Sequence, residues 1–245
     1  MVERMSIWLA IPSARPTEEV NKTINVWRAQ GYNIALYLNA EREGLGEIID
    51  ADITMYGKYE GYPRAINDLS RLLLEDTDAQ WIICAGDDTL PDQTKTAQEI
   101  AAELEAHFNG TLGCCQPTGD RWGENEPWAR RMHPARPAYI DRICGSAWYG
   151  REFVRRIYQG KYLQWPEYWH MHADQEMQEV AEMLGLLWQR RDLTHHHNHW
   201  GKTGNAANMP KFLERANSPE EWRSTKELFD RRKAAGFPGH ELLPL

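Results

Sequence analysis

Three carboxylates fall within six residues at the end of one apolar run: in "WIICAGDDTLPD" (81 to 92), Asp87, Asp88 and Asp92 follow directly on Trp81 to Ala85. Two adjacent carboxylates repel one another unless solvent or a cation relieves the charge, and a divalent ion held by hard oxygen ligands does this well. The plainer reading is a solvated turn followed by a helix, with Asp92 as its cap ahead of "QTKTAQEI". A further acid, Asp174, heads a helix in "HADQEMQEVAEML" whose apolar face includes Met177, Val180, Ala181 and Leu184. Taken alone, that residue also suits an N-cap aspartate. Next comes "THHHNHW", with His195, His196, His197 and His199. Alternate residues of an extended segment face the same way, so His195, His197 and His199 are expected on one side and His196 on the other. Histidine is a common ligand for transition metals; an exposed histidine loop, or a zinc site unrelated to catalysis, is the alternative. Lys202, just beyond, offers a point charge that can reach a diphosphate.

Such groups must be positioned by a scaffold, and the chain reads as alternating strands and helices. "SIWLAI" (6 to 11) is a strand ended by Pro12. Thr17 then caps a helix to about Gln30, with Glu18 and Glu19 in its first turn and Gly31 after its end. "YNIALYL" (32 to 38) and "ADITMY" (51 to 56) are further strands, and Pro63 opens a helix through "RAINDLSRLLLE". "QWIICA" (80 to 85) is a fourth strand, followed by a helix from about Gln93 to His107, and "GTLGCC" (111 to 115) is a fifth. This order predicts an α/β fold with an open, mainly parallel sheet and helices on both faces. Ligands of such sheets bind outside the carboxyl ends of the strands, where Gly86-Asp87-Asp88 falls.

Composition narrows the options. At 245 residues, 42% hydrophobic and 26% charged, the chain suits one large soluble domain. No apolar run approaches the roughly 20 residues needed to span a bilayer, and "MVERMSIWLAIPS" is too short and too acidic for a secretory signal, so a cytoplasmic location is expected. A net charge of -8 opposes general affinity for nucleic acid, so any such contact must be local. The four cysteines, Cys84, Cys114, Cys115 and Cys144, lack metal-site spacing and read as buried thiols. Among 11 tryptophans, Trp122, Trp128, Trp148, Trp165, Trp169 and Trp200 lie near polar, turn-rich segments where a flat ring can serve as a platform for a sugar or base. No glycine-rich phosphate loop follows the first strand, so a bound nucleoside diphosphate would need a metal for much of its neutralisation.

The ordered pieces resemble the nucleotide-sugar glycosyltransferases of the GT-A fold, family two in particular. "CAGDDTLPD" matches the second half of that family's L-D-x-D-D-x-L-x-P-like strand end. "GYPRAINDL" is similar to its G-x-x-x-A-x-N helix, with Gly61, Ala65 and Asn67 in register, and "IPSAR" sits at its first nucleotide-contacting loop. The resemblance implies a nucleotide-sugar donor, a UDP-sugar favoured, contacted by Pro12, Ser13, Arg15, Asn39, Gly61, Arg64, Asn67, Asp87 and Lys202. It implies a manganese or magnesium ion held by Asp87 and Asp88 together with His197 or His199, and Asp174 as the general base of an inverting transfer, with Glu176 as second choice. Two departures concern the donor: Ala85 replaces the first aspartate of the pattern, and Asn39 stands near the place of a carboxylate that often reads uracil.

For the acceptor, the irregular stretch "QPTGDRWGENEPWARRMHPARPA" (116 to 138) interleaves Arg121, Arg130, Arg131 and Arg136 with Trp122 and Trp128, a mixture suited to phosphates and stacked rings. A surface loop with paired charges is its alternative. The tail "GLLWQRRDLTHHHNHWG" resembles that of bacteriophage-encoded glycosyltransferases, some of which decorate hydroxymethylated pyrimidines in DNA; a saccharide or cell-surface acceptor is the other expectation. The resulting division is a catalytic domain over 1–207, its nucleotide-sugar half 1–116 and its acceptor half 117–207, with a helical extension over 208–245 capped at Ser218. A nucleotidyltransferase and a non-catalytic sugar- or base-binding module remain as alternatives.

Overall fold

The computed structural model describes residues 5–41, 49–120, 145–200 and 209–244. In chain order its elements are β1 (Ile7–Ser13), α1 (Thr17–Ala29), β2 (Asn33–Asn39), β3 (Ile53–Gly57), α2 (Tyr62–Asp76), β4 (Trp81–Cys84), β5 (Thr89–Leu90), α3 (Ala97–Phe108), β6 (Cys114–Pro117), β7 (Trp148–Gly150), α4 (Arg151–Arg156), α5 (Ala173–Met183), β8 (Leu187–Arg190), β9 (His196–His197) and α6 (Pro219–Ala234). Seven of the described strands form one sheet in the order β3-β2-β1-β4-β7-β6-β8. Pairings of β1 with β2 and β4, of β2 with β3, and of β6 with β8 are parallel. Within this sheet β7 runs against its neighbours, inserted between β4 and β6. The expected mainly parallel α/β sheet is present; the short strand β7, whose three residues carry no pattern of their own, was not foreseen.

The period of two along β1 explains the layers. Ile7, Leu9 and Ile11 turn to one face, where Val20, Ile24 and Trp27 of α1 and Ile100 and Leu104 of α3 cover them. Trp8 and Ala10 turn to the other, under Ile66, Leu69 and Leu73 of α2 and Met177 and Val180 of α5. Both faces are covered, so the central strands are apolar throughout. Cys84, Cys114 and Cys115 lie buried as free thiols in this core, and burial pushes the Cys84 thiol far above its ordinary range.

Two expected boundaries move. Helix α3 begins at Ala97 rather than Gln93, because Thr96 and Glu99 form a reciprocal capping box that outcompetes Asp92. The C-terminal α6, capped by Ser218 as expected, is an extension in sequence only. Its Leu228 and Phe229 belong to the same core as α5, and its buried Arg232 grips the fully buried Glu176. Arg232 Nε and Nη2 each lie 2.7 Å from a Glu176 oxygen, while Tyr158 and Tyr168 donate their hydroxyls to the same carboxylate at 2.7 and 2.8 Å. That role removes Glu176 from consideration as a base. No described helix is long and apolar enough to cross a membrane.

Candidate active site

A cleft of about 480 Å³ opens at the carboxyl ends of β1, β2, β4 and β6. Its floor is the turn after β4. Asp87 is 8% exposed and its carboxylate accepts from Ser13 Oγ at 2.6 Å and Arg15 Nε at 2.7 Å. The backbone of this turn is pinned from α1: Thr23 Oγ1 donates to the Asp87 carbonyl and Trp27 Nε1 to the Thr89 carbonyl, both at 2.8 Å. Burial raises the Asp87 carboxyl, and Arg15 opposes that rise. Burial would raise Asp88 as well, but the hydrogen bond and charge of His197, with Arg15 beyond, outweigh it and hold the carboxyl down to about 2. The acids of the turn are therefore not freely solvated.

The histidine segment is docked on this turn by backbone pairing. β9 runs antiparallel to β5, with Thr89 opposite His197, and Asn198 N–H donates to the Asp88 carbonyl at 2.7 Å. Asp92, expected as a helix cap, is buried and instead accepts from the backbone amides of Thr94 and Lys95 and from Thr194 N–H at 2.6 Å, which anchors the chain just before the histidines. His195, His197 and His199 all line the cleft, as alternation predicts, while His196 is exposed. They are not equivalent. His195 is buried, with Nδ1 3.1 Å from the Ser146 carbonyl and Nε2 accepting from Trp148 Nε1 at 3.4 Å, and burial depresses it to about 4. His197 Nε2 lies 3.2 Å from Asp88 Oδ1, and the His199 ring sits 5.1 Å from the His197 ring.

Across the cleft, Asp174 lies in the first turn of α5, whose N-cap is His172 rather than Asp174 itself. Its Oδ1 accepts from Gln175 N–H at 2.9 Å, and burial pushes its carboxyl above the usual 3.8. His170, for which the sequence carries no signal, shares this wall. Burial depresses it to about 4, so the ring is neutral near pH 7, and its buried Nδ1 has no hydrogen-bond partner among the described residues. Phe212, Leu213, Ala216 and Asn217, from the segment before α6, close another side and were likewise not foreseen.

Pro12, Ser13, Arg15, Asn39, Asp87, Asp88, Asp174, His197 and His199 therefore meet in one cleft. Gly61, Arg64 and Asn67 do not line it, which corrects their expected role. The Asn67 amide is occupied by the loop before α5, accepting from Leu163 and Gln164 N–H and donating to the Gln164 carbonyl. Arg64 is mostly exposed, paired with Glu60 and donating to the Pro166 carbonyl. Gly61 has φ 111, and a Cβ there would stand 2.6 Å from the Trp169 carbonyl oxygen. Gly61→Ala is accordingly expected to cost ~1–3 kcal/mol of stability, read as a lowered unfolding midpoint; an unchanged midpoint would refute this account of the turn. The tryptophans divide: Trp148 is core and the ring of Trp165 is covered by the Arg232 guanidinium at 3.5 Å, whereas Trp169 lines the cleft, with the Arg215 guanidinium 3.3 Å over its ring. Lys202, Cys144, Trp122, Trp128 and the arginines from Arg121 to Arg136 lie outside the described residues.

Among the described residues, no three histidine, cysteine or carboxylate side chains are grouped to hold a metal by themselves. Asp88 and His197 do present an oxygen and a nitrogen to each other at 3.2 Å. A divalent ion on a nucleoside diphosphate commonly takes only one or two protein ligands, with phosphate oxygens and water filling the rest, and the donor pair fits a partial site of that kind. Arg15 is the only lysine or arginine among the described lining residues, beside the carboxylates of Asp87, Asp88, Asp120 and Asp174.

The arrangement is the α/β architecture of the GT-A glycosyltransferase fold, with its cleft at the strand ends. No protein-family model matches the chain, and no curated protein matches it in sequence. Among solved structures, it is similar to residues 1–349 of TarS from S. aureus, in complex with UDP, with a TM-score of 0.53 at 10% identity. The match covers 78% of this chain and 59% of that one, so the chain spans little more than half of the TarS structure.

Proposed function

We propose that this chain is a glycosyltransferase that moves a sugar from a nucleoside-diphosphate donor, a UDP-sugar favoured, to an acceptor hydroxyl with inversion. The observation that carries the reading is the meeting of the Asp87–Asp88 turn, His197 and Asp174 in one cleft at the carboxyl ends of the strands. The UDP held by the similarly folded TarS structure supports the choice of donor. Asp174 is the group suited to take the proton from the acceptor hydroxyl as its oxygen attacks the anomeric carbon, since its carboxylate accepts only from backbone amides of its own helical turn among the described residues. Arg15 is the cation suited to meet the leaving diphosphate. Asp88 and His197, with His199 close by, would hold a manganese or magnesium ion, which when bound supplies electrostatic stabilisation of the leaving diphosphate. The acceptor class we favour is a hydroxymethylated pyrimidine in DNA, with a saccharide hydroxyl as the second choice.

Calorimetry with UDP, CDP and GDP, each with and without manganese, tests the donor side. One nucleotide is expected to bind with manganese, and Asp88→Ala is expected to weaken that binding roughly tenfold or more, in line with the loss of a charge-assisted ligand. Absence of binding by any of the three, under either condition, removes the reading. Transfer from the donor so identified to DNA containing hydroxymethylcytosine or hydroxymethyluracil then separates the acceptors: unmodified product excludes the DNA choice.

A further inference from the structure

The residues two positions before and two positions after Asp174 are both held by α6. His172 caps α5 in a left-handed conformation, φ 72, which for a residue other than glycine persists only where the surroundings overdetermine it. Its Nδ1 lies 3.1 Å from Thr225 Oγ1, and its ring packs against Trp222 and Phe229. The Thr225 hydroxyl also donates to the Glu221 carbonyl at 2.9 Å, so one side chain ties His172 to the backbone of α6. On the other side, Glu176 is held through both oxygens by Arg232. Asp174 has no comparable grip of its own among the described residues, since its carboxylate accepts only from the amides of its own turn. The direction of its carboxylate is therefore inherited from the backbone of the first turn of α5, and that turn is fixed at His172 and Glu176.

We propose that Thr225 and Arg232 are positioning residues for the reaction: α6 clamps both flanks of Asp174 and thereby sets where its carboxylate enters the cleft. The proposal rests on the reading of Asp174 as the base. A helix that served only to stabilise the fold would change the unfolding midpoint and leave the turnover of folded enzyme alone, whereas a small displacement of a base costs rate directly.

The test uses the full chain, with turnover measured as nucleoside diphosphate released from whichever of UDP-, CDP- and GDP-glucose the wild type consumes. Thr225→Val keeps the side-chain shape and buries no charge, while removing the hydroxyl shared by His172 and the Glu221 carbonyl. Arg232→Lys keeps the positive charge but cannot span both Glu176 oxygens, and so serves as an independent second variant on the other flank. Each is expected to lower kcat about five- to tenfold with nucleotide affinity unchanged, and Thr225→Ser is expected to restore the rate. The kcat of both variants within twofold of wild type, with Asp174→Asn inactive, overturns the clamp and leaves the base assignment standing. Full activity in Asp174→Asn overturns both.

Discussion

Asp174→Asn is expected to lower sugar transfer about 10²- to 10⁴-fold, the usual worth of a general base, with nucleotide affinity unchanged. Asparagine retains a side-chain oxygen to accept from Gln175 N–H, so the first turn of α5 stays in place while the capacity to take a proton is lost. The pH profile gives a second readout. Burial raises the Asp174 carboxyl above 3.8, and protonation removes the base, so the wild-type rate falls as pH drops through that raised value. The residual activity of the variant is expected to lack that acidic limb. A variant that transfers sugar at the wild-type rate, or keeps the limb, eliminates Asp174 as the base.

Glu176→Gln is expected to destabilise the fold by roughly 3–5 kcal/mol, the cost of breaking a buried ion pair and leaving one charge uncompensated. The amide fits the space but cannot neutralise Arg232, which is 7% exposed and stacked over Trp165. At about 2–4 °C per kcal/mol for a chain of this size, the unfolding midpoint is expected to drop by roughly 6–20 °C. Replacing both partners, as in Glu176→Leu with Arg232→Met, is expected to recover only part of the loss, because the two apolar groups carry no desolvation cost but leave the buried Tyr158 and Tyr168 hydroxyls without their acceptor. A single variant that melts within about 2 °C of wild type, less than the shift of one kcal/mol, would show that solvent reaches the pair.

The strands and helices were legible because both sheet faces are covered: β1, β2 and β4 are apolar runs of the right length between turn signals. The acid turn and the alternation of the histidines were legible for similarly local reasons. What failed was competition between local signals and distant partners. Asp92 is a good cap by its neighbours, and one oxygen does accept from the Thr94 and Lys95 amides, but the helix starts beyond it at the Thr96 box and its other oxygen takes the amide of Thr194, 102 residues away. Asn67 sits in register with a family pattern, yet its amide is taken by backbone groups near residue 164. His170 and the wall from Phe212 to Asn217 gave no signal, since neither belongs to a periodic pattern and only the tertiary fold turns them into the cleft.

The grip of α6 on Glu176 also bears on how the protein is made. Glu176 and Arg232 are 56 residues apart, and a ribosome adding about 5–20 residues per second takes roughly 3–11 s to cover that interval. Throughout it the newborn chain holds the Glu176 carboxylate with the hydroxyls of Tyr158 and Tyr168 alone, before its guanidinium partner exists. The acid turn, the histidine strand and all seven strands of the sheet are synthesised before Arg232 is. The described helix that is made last is thus the one that completes both the core around α5 and the ion pair beside Asp174.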